Sequence, residues 1–254
     1  MSLDACAQIV ERGDPDRFAA CMAAPVVARA VLFPLYALNV EVARAPWVAK
    51  EPMIAEMRLQ WWRDAVEDLG RGVVRAHEVM GPLAAIRGQP LEVMDRMIAA
   101  RRWDIYKDPF ADRAAFDTYL DDTGAGLMWL SALALGAPAA AEPAVRGVGW
   151  AMGLAAFLRA IPELEARGRV PLLDGRPSAV ADLARDGLAQ LTQARSLRGT
   201  VPQSVVPALI AAWQTAPLLR QVMAEPERVI DGALQVSEFK RRGGLLWMGL
   251  TGRW

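Results

Sequence analysis

The sequence is poor in the residues that most enzymes use for covalent or metal chemistry: one histidine and two cysteines in 254 residues. His77 stands alone in RAHEVM, and Cys6 and Cys21 have no ligand-like neighbours, so zinc sites and Cys–His or Ser–His nucleophilic schemes lack material. His77, beside Glu78, reads as a surface residue. Two cysteines are too few for a disulfide framework and point to a reducing compartment. Net charge is missing as well, with 29 basic residues against 29 acidic ones. No basic stripe is therefore expected, which argues against a nucleic-acid partner. No segment alternates polar and apolar residues between hairpin turns, so a sheet is not expected. Gly124-Ala125-Gly126 sits in an apolar helical pattern without the strand that a phosphate-binding glycine loop needs. Internal repeats and low-complexity linkers are absent too.

The opening MSLDACAQIVERGD carries acids and has no basic segment leading into an apolar run, which predicts a cytoplasmic chain. Two long uncharged runs, 199–219 and 123–141, invite comparison with membrane spans. The first is interrupted by Pro202, Pro207 and Pro217, and the second is diluted by glycine and alanine. Both read as buried helices of a soluble or peripheral protein.

What the chain has in quantity is apolar surface: 54% hydrophobic residues against 23% charged, and a mean hydropathy of +0.16. That composition excludes disorder and supports a substantial core. Tryptophan is over-used, nine against three tyrosines and six phenylalanines. The apolar period is helical nearly throughout. Asp14-Pro15 caps and starts a helix, Pro25 opens another to about Ala45, and Met53 begins an amphipathic helix ending near Gly70. Further helices are expected from Pro90, over 111–135, 141–161, 178–197, 204–216 and 218–230, and from about Gln235. An irregular segment is expected over 163–177. Asp121-Asp122 reads as a solvated pair near a helix start. The expected fold class is all-α, one domain over residues 1–254 of about ten helices, with 235–254 as a basic, aromatic tail.

Four segments stand out: FPLYALNVEVARAP from Phe33, RLQWWRDAVEDL from Arg58, GLAAFLRAIPELEARGRVPLL from Gly153, and ARSLRGTVP from Ala194. With DPDRFAACMAAP and LFPLYAL before them, their order and spacing resemble the squalene/phytoene synthase family over roughly residues 14–230. The resemblance implies an isoprenoid-synthase-type helical bundle around a central cavity. It also implies condensation of two prenyl diphosphates, with two aspartate-rich motifs on facing helices holding magnesium. Magnesium needs carboxylate oxygens to pin it against the diphosphate, whose departing charge it neutralises. Laid on this chain, the first motif's acids fall on Ala43, Arg44 and Trp47, and the second's on Ala160 and Leu164. None is acidic, and Arg44 would repel the ion. Glu163 matches an acidic position and Glu41 lies near the first motif. The expectation is therefore no catalytic residues, no metal ligands and no cofactor, with magnesium required only if the chain were an active prenyltransferase.

Within the family, LNVEVAR, RLQWWRDAVEDL, LRAIP and ARSLRGTVP resemble a non-catalytic branch tied to assembly of mitochondrial respiratory complex I. The resemblance implies an assembly or maturation factor whose partner is a respiratory subunit, or whose ligand is an isoprenoid or other lipid. The alternatives are head-to-head prenyl transfer and simple lipid carriage. The residues expected to face a ligand are Tyr36, Asn39, Glu41, Arg44, Trp62, Arg159, Glu163 and Arg169. Some have a plainer alternative: Arg44 pairing with Glu41, Arg159 capping a helix end, and Trp62, like its neighbour Trp61, packing into the core. Arg167 reads as an ordinary helix-end cation. In the tail, Lys240-Arg241-Arg242 beside Leu245-Leu246-Trp247, with Arg253-Trp254 after it, suits contact with the inner face of the cytoplasmic membrane. The alternative is a tail that packs its tryptophan back onto the domain.

Overall fold

The computed structural model describes residues 2–48, 51–86, 88 and 90–254, and among them no strand occurs. In chain order the α-helices are α1 Leu3–Gly13, α2 Pro15–Ala23, α3 Val26–Arg44, α4 Pro52–Gly70, α5 Met80–Ala84, α6 Leu91–Ala100 and α7 Arg113–Leu120. They continue as α8 Gly126–Ala134, α9 Glu142–Ala166, α10 Pro177–Ser196, α11 Val206–Leu209, α12 Thr215–Ala224 and α13 Glu238–Thr251. The bundle belongs to the all-α class that the period implied. Asp14 caps α2 as expected, its carboxylate accepting from the Arg17 amide at 2.9 Å with Pro15 at the first helical position.

Helices α3 and α9 form the centre. From Leu32 to Val40 every residue of α3 is buried, as expected of a helix that is apolar all round. Both α3 and residues 139–166 are long and apolar enough to cross a membrane, yet more than half of each lies inside the bundle. Helix α9 packs on α8, α10 and the turn between α7 and α8. That turn, Asp121–Ala125, is π-helical and joins α7 to α8 without a break, so 113–134 is one helical stretch, close to the single helix expected over 111–135. Glycines bring it close: a Cβ on Gly124 would lie 2.8 Å from the Gly149 carbonyl oxygen and 2.8 Å from the Gly153 Cα. Thr123 Oγ1 also donates to the Tyr119 carbonyl at 2.6 Å.

Other expectations need correcting. Helices α1 and α5 have no counterpart in the sequence reading. The expected helix over 204–216 is three short turns, 3-10 Gln203–Val205, α11 and 3-10 Ile210–Ala212. The one expected over 218–230 stops at Ala224, because Pro226 has no N–H and disfavours helix in the residue before it. Within 123–141 the chain is helical to Ala134 and then leaves the helix at Gly136, whose φ is +88°. The expected irregular stretch from 163 begins four residues later, at Arg167, since α9 runs through Pro162 to Ala166 with Ile161 and Leu164 buried. His77 is not a plain surface residue: its ring lies 4.7 Å from Trp62 and 5.6 Å from Trp61, and Nδ1 accepts from the Val79 amide. Cys6 and Cys21 are free and buried, and burial pushes their thiols up to about 11 and about 12.

Because the Gly124 contact leaves no room for a methyl group against backbone, Gly124→Ala should cost about 1–3 kcal/mol in urea unfolding. Gly243→Ala, in a helix with open space around it, should be neutral or stabilising by up to about 1 kcal/mol. Equal stability of the Gly124 variant and the wild type would contradict this packing.

Candidate ligand cavity

The last turns of α3 and α9 face each other across a half-open cavity of about 430 Å³. Asn39, Ala43 and Trp47 recur at four-residue steps from α3 into its exit turn, and Gly153, Ala156, Phe157, Ala160, Glu163 and Leu164 descend one side of α9. All five positions laid on the family's motif, Ala43, Arg44, Trp47, Ala160 and Leu164, line this one cavity. Small side chains at Ala43, Ala156, Ala160 and Gly153 leave the space open.

At the mouth, α9 ends in a tight left-handed turn. Gly168 adopts φ +76°, its N–H reaches the Glu165 carbonyl at 2.8 Å, and the Arg169 N–H reaches the Leu164 carbonyl at 3.1 Å. Glycine is favoured there because φ is positive. The turn sends its two flanking arginines onto one ring: the Arg167 guanidinium lies 4.4 Å from the Trp47 centroid and that of Arg169 4.9 Å. Arg167 is also held by Glu163 at 2.5 Å. Arg169 is buried, stacks on Trp103 at 5.1 Å, and donates to the carbonyls of Trp103, Asp104 and Tyr106. Burial lowers its pKa.

The opposite wall holds a buried polar cluster. Arg101 donates to the Tyr119 hydroxyl at 3.0 Å and to Asp104 at 3.3 Å, and that hydroxyl donates to Asp104 at 3.2 Å. Burial pushes the Asp104 carboxyl up against the pull of Arg101, and raises the Tyr119 phenol. Behind it, Trp103 stacks on Phe110 with centroids 4.1 Å apart, and Phe116 and Phe157 complete an aromatic slab.

The donor set does not suit magnesium. The carboxylates lining the cavity are Asp104 and Glu163, and each is committed to an arginine. Arg17, Arg44, Arg101 and Arg167 face the same space. Among the described residues no group of three or more His, Cys, Asp or Glu side chains could hold a metal ion.

Of the eight residues expected to face a ligand, Asn39, Arg44 and Glu163 line this cavity. Tyr36 does not; it is buried one turn earlier, and burial raises its pKa. Glu41 and Trp62 line a separate cavity of about 200 Å³ with Trp61 and His77, because Glu41 lies around α3 from Asn39 and Ala43 and faces α4, which carries both tryptophans. Arg44 touches both cavities and pairs with Glu41 at 3.4 Å. Trp62 is buried and meets Trp61 edge-on at 4.9 Å. Arg159 pairs with Asp16 of α2 at 3.0 Å rather than capping its own helix. Arg169 anchors the turn, while Arg167 is the mouth residue that the sequence reading set aside. Also missed were Arg17, Arg101, Asp104, Tyr119 and Phe157. The spacing of Gly149 and Gly153 was the available signal for a close approach at Gly124. The charge cluster had none, since its members meet only through tertiary packing.

Residues 10–172 match the description of the family Squalene/phytoene synthase. The chain is 23% identical over 261 residues to the human "NADH dehydrogenase (ubiquinone) complex I, assembly factor 6", covering 91% of this chain and 76% of that one. It is 26% identical to the Drosophila melanogaster homolog of that factor, over 85% of this chain and 74% of the other. Among solved structures, a dehydrosqualene synthase in complex with ligand superposes with a TM-score of 0.80 at 16% identity, covering 96% of this chain and 93% of the other. The squalene synthase HpnC from Alicyclobacillus acidocaldarius gives 0.74 at 15%, over 92% and 95%. The fold is that of the isoprenoid synthases.

Arg169→Lys keeps the charge but loses the planar fork that meets three carbonyls, and should cost about 2–4 kcal/mol in urea unfolding. Arg159→Ala, which breaks a half-exposed pair, should cost no more than about 1 kcal/mol. Similar losses for the two would contradict the anchoring role of Arg169.

Proposed function

We propose that this chain, which belongs to the squalene/phytoene synthase family, is a non-catalytic member that assists assembly or maturation of respiratory complex I. The observation that carries the proposal is the inverted charge of its cavity. Where the family pattern has magnesium-binding acids, this chain has two alanines, a leucine, an arginine and a tryptophan that stacks against two more arginines. Prenyl transfer needs the departing diphosphate neutralised by a metal held on carboxylates. The two carboxylates here are already bound to arginines. Glu41 and Glu163, the replacement ligands an active enzyme would need, open into different cavities. Relatives named as complex I assembly factors, matched over most of the chain, supply the process. The partner is then a respiratory-complex subunit.

The cavity is open rather than filled, which supports a bound lipid or isoprenoid as part of that role. Its apolar depth, with Leu120, Phe157 and Leu164, suits a hydrocarbon chain. Arg44 and Arg167 at the mouth suit an anionic head, because guanidinium geometry matches phosphate and carboxylate. Pure lipid carriage is the second reading that this openness favours.

Incubated with farnesyl diphosphate and magnesium, the protein should release no diphosphate, whereas turnover of about 1 s⁻¹ would overturn the proposal. Disrupting the gene in its host should lower membrane NADH–quinone activity, with recovery on re-expression. Unchanged activity would remove the assembly role and leave carriage.

A further inference from the structure

Helix α13 carries an unusual outer face. Phe239 is 88% exposed, Leu246 63%, Trp247 59% and Leu250 78%. At about 100° per residue, Phe239, Leu246 and Leu250 lie within about 40° of one another, and Trp247 within about 80° of Phe239. Lys240 and Arg242 flank this stripe on either side, about 100° and 60° from Phe239. Met248, about 180° away, is buried against the bundle. Arg241 holds the inner side, reaching Asp16 at 2.9 Å and lying 5.6 Å from the Trp213 ring.

The two alternatives for the tail are thus divided between its tryptophans. Trp254 packs back onto the domain, where its carbonyl accepts from Arg195 and its ring lies 5.2 Å from the Arg198 guanidinium. Trp247 faces out. The C-terminal end of α13 is strongly basic, since the charged groups acting on Arg195 and Arg198 are Arg198, Arg220 and Arg253, which lower their pKa values after burial does. The tail's one acid, Glu238, is taken up by Arg241 and Arg242. A second apolar site adjoins the first. A Cβ on Gly249 would lie 3.6 Å from the Ala23 Cβ, which puts α13 beside the α2–α3 corner and its exposed Met22, Val26 and Val27.

We propose that the outer face of α13, with the neighbouring Met22–Val27 corner, is a docking surface for an anionic lipid bilayer. The helix would lie in the plane of the interface. Phe239, Leu246 and Leu250 enter the acyl boundary, Trp247 sits at the headgroup level, and Lys240, Arg198 and Arg253 meet lipid phosphates. A convex apolar stripe bordered by cations matches an anionic interface better than a protein groove, whose core is depleted of lysine. This surface is separate from the cavity and does not depend on the assembly role.

The test is cosedimentation with vesicles of phosphatidylcholine alone or mixed with phosphatidylglycerol at physiological salt. The wild type should partition onto the mixed vesicles and only weakly onto the neutral ones. Leu246→Glu with Leu250→Glu should reduce that partition at least tenfold, and Lys240→Gln or Arg253→Gln about fivefold each. All these residues are exposed, so unchanged thermal midpoints will show that the variants fold. Failure of the wild type to bind mixed vesicles, or binding by the double glutamate variant equal to wild type, would overturn the proposal. Equal binding to both vesicle types would remove the role of the cations. If the wild type ignored vesicles but formed a dimer that the glutamates dissociate, the face would be a contact between copies, and the proposal would fall.

Discussion

The stacking of Arg167 and Arg169 on Trp47 ties the end of α3 to the end of α9, and the cavity depends on it. In a magnesium-using site of this architecture, the two facing helices would be joined by ions held between acids. Here the junction is made of side chains. Each cation–π contact contributes on the order of 0.5–2 kcal/mol, more where water is excluded. Gly168 makes the geometry possible by turning the chain so that its neighbours on both sides reach the same ring.

The clasp also reaches the opposite wall. Arg169 passes from Trp47 to the carbonyls of Trp103, Asp104 and Tyr106, and so fixes the segment that presents Arg101 and Asp104 to the cavity. One buried guanidinium therefore connects the mouth, the polar cluster and the aromatic slab. The cavity stays open because the residues between these fixed points are small. The result is a basic-rimmed apolar space whose two carboxylates are both neutralised by partners, suited to holding an anion and poorly suited to holding a cation.

Much of this was legible in the sequence. The all-α class followed from the helical period, and the five degenerate motif positions do share one cavity. What failed did so for identifiable reasons. A helical wheel does not say which neighbour each face meets, so Tyr36, Glu41 and Trp62 were grouped with Asn39 although they point elsewhere. Pro162 looked like a helix end, but the burial of Ile161 and Leu164 carried α9 another turn. Arg169 looked like a ligand cation and proved structural, while Arg167 looked ordinary and proved to cover the tryptophan. Arg101, Asp104 and Tyr119 come from separate elements, and no local spacing announces that they will meet.

The excess of tryptophan takes on specific roles in this setting. Trp47 occupies a motif position, Trp103 anchors the aromatic slab, Trp61 and Trp62 enclose His77, and Trp254 closes the tail against Arg198. A cavity that takes its ligand without metal should give the protein one thermal midpoint with farnesyl diphosphate, whether magnesium or a chelator is present. A midpoint that rises only with magnesium would show that the cavity still binds diphosphate through the ion.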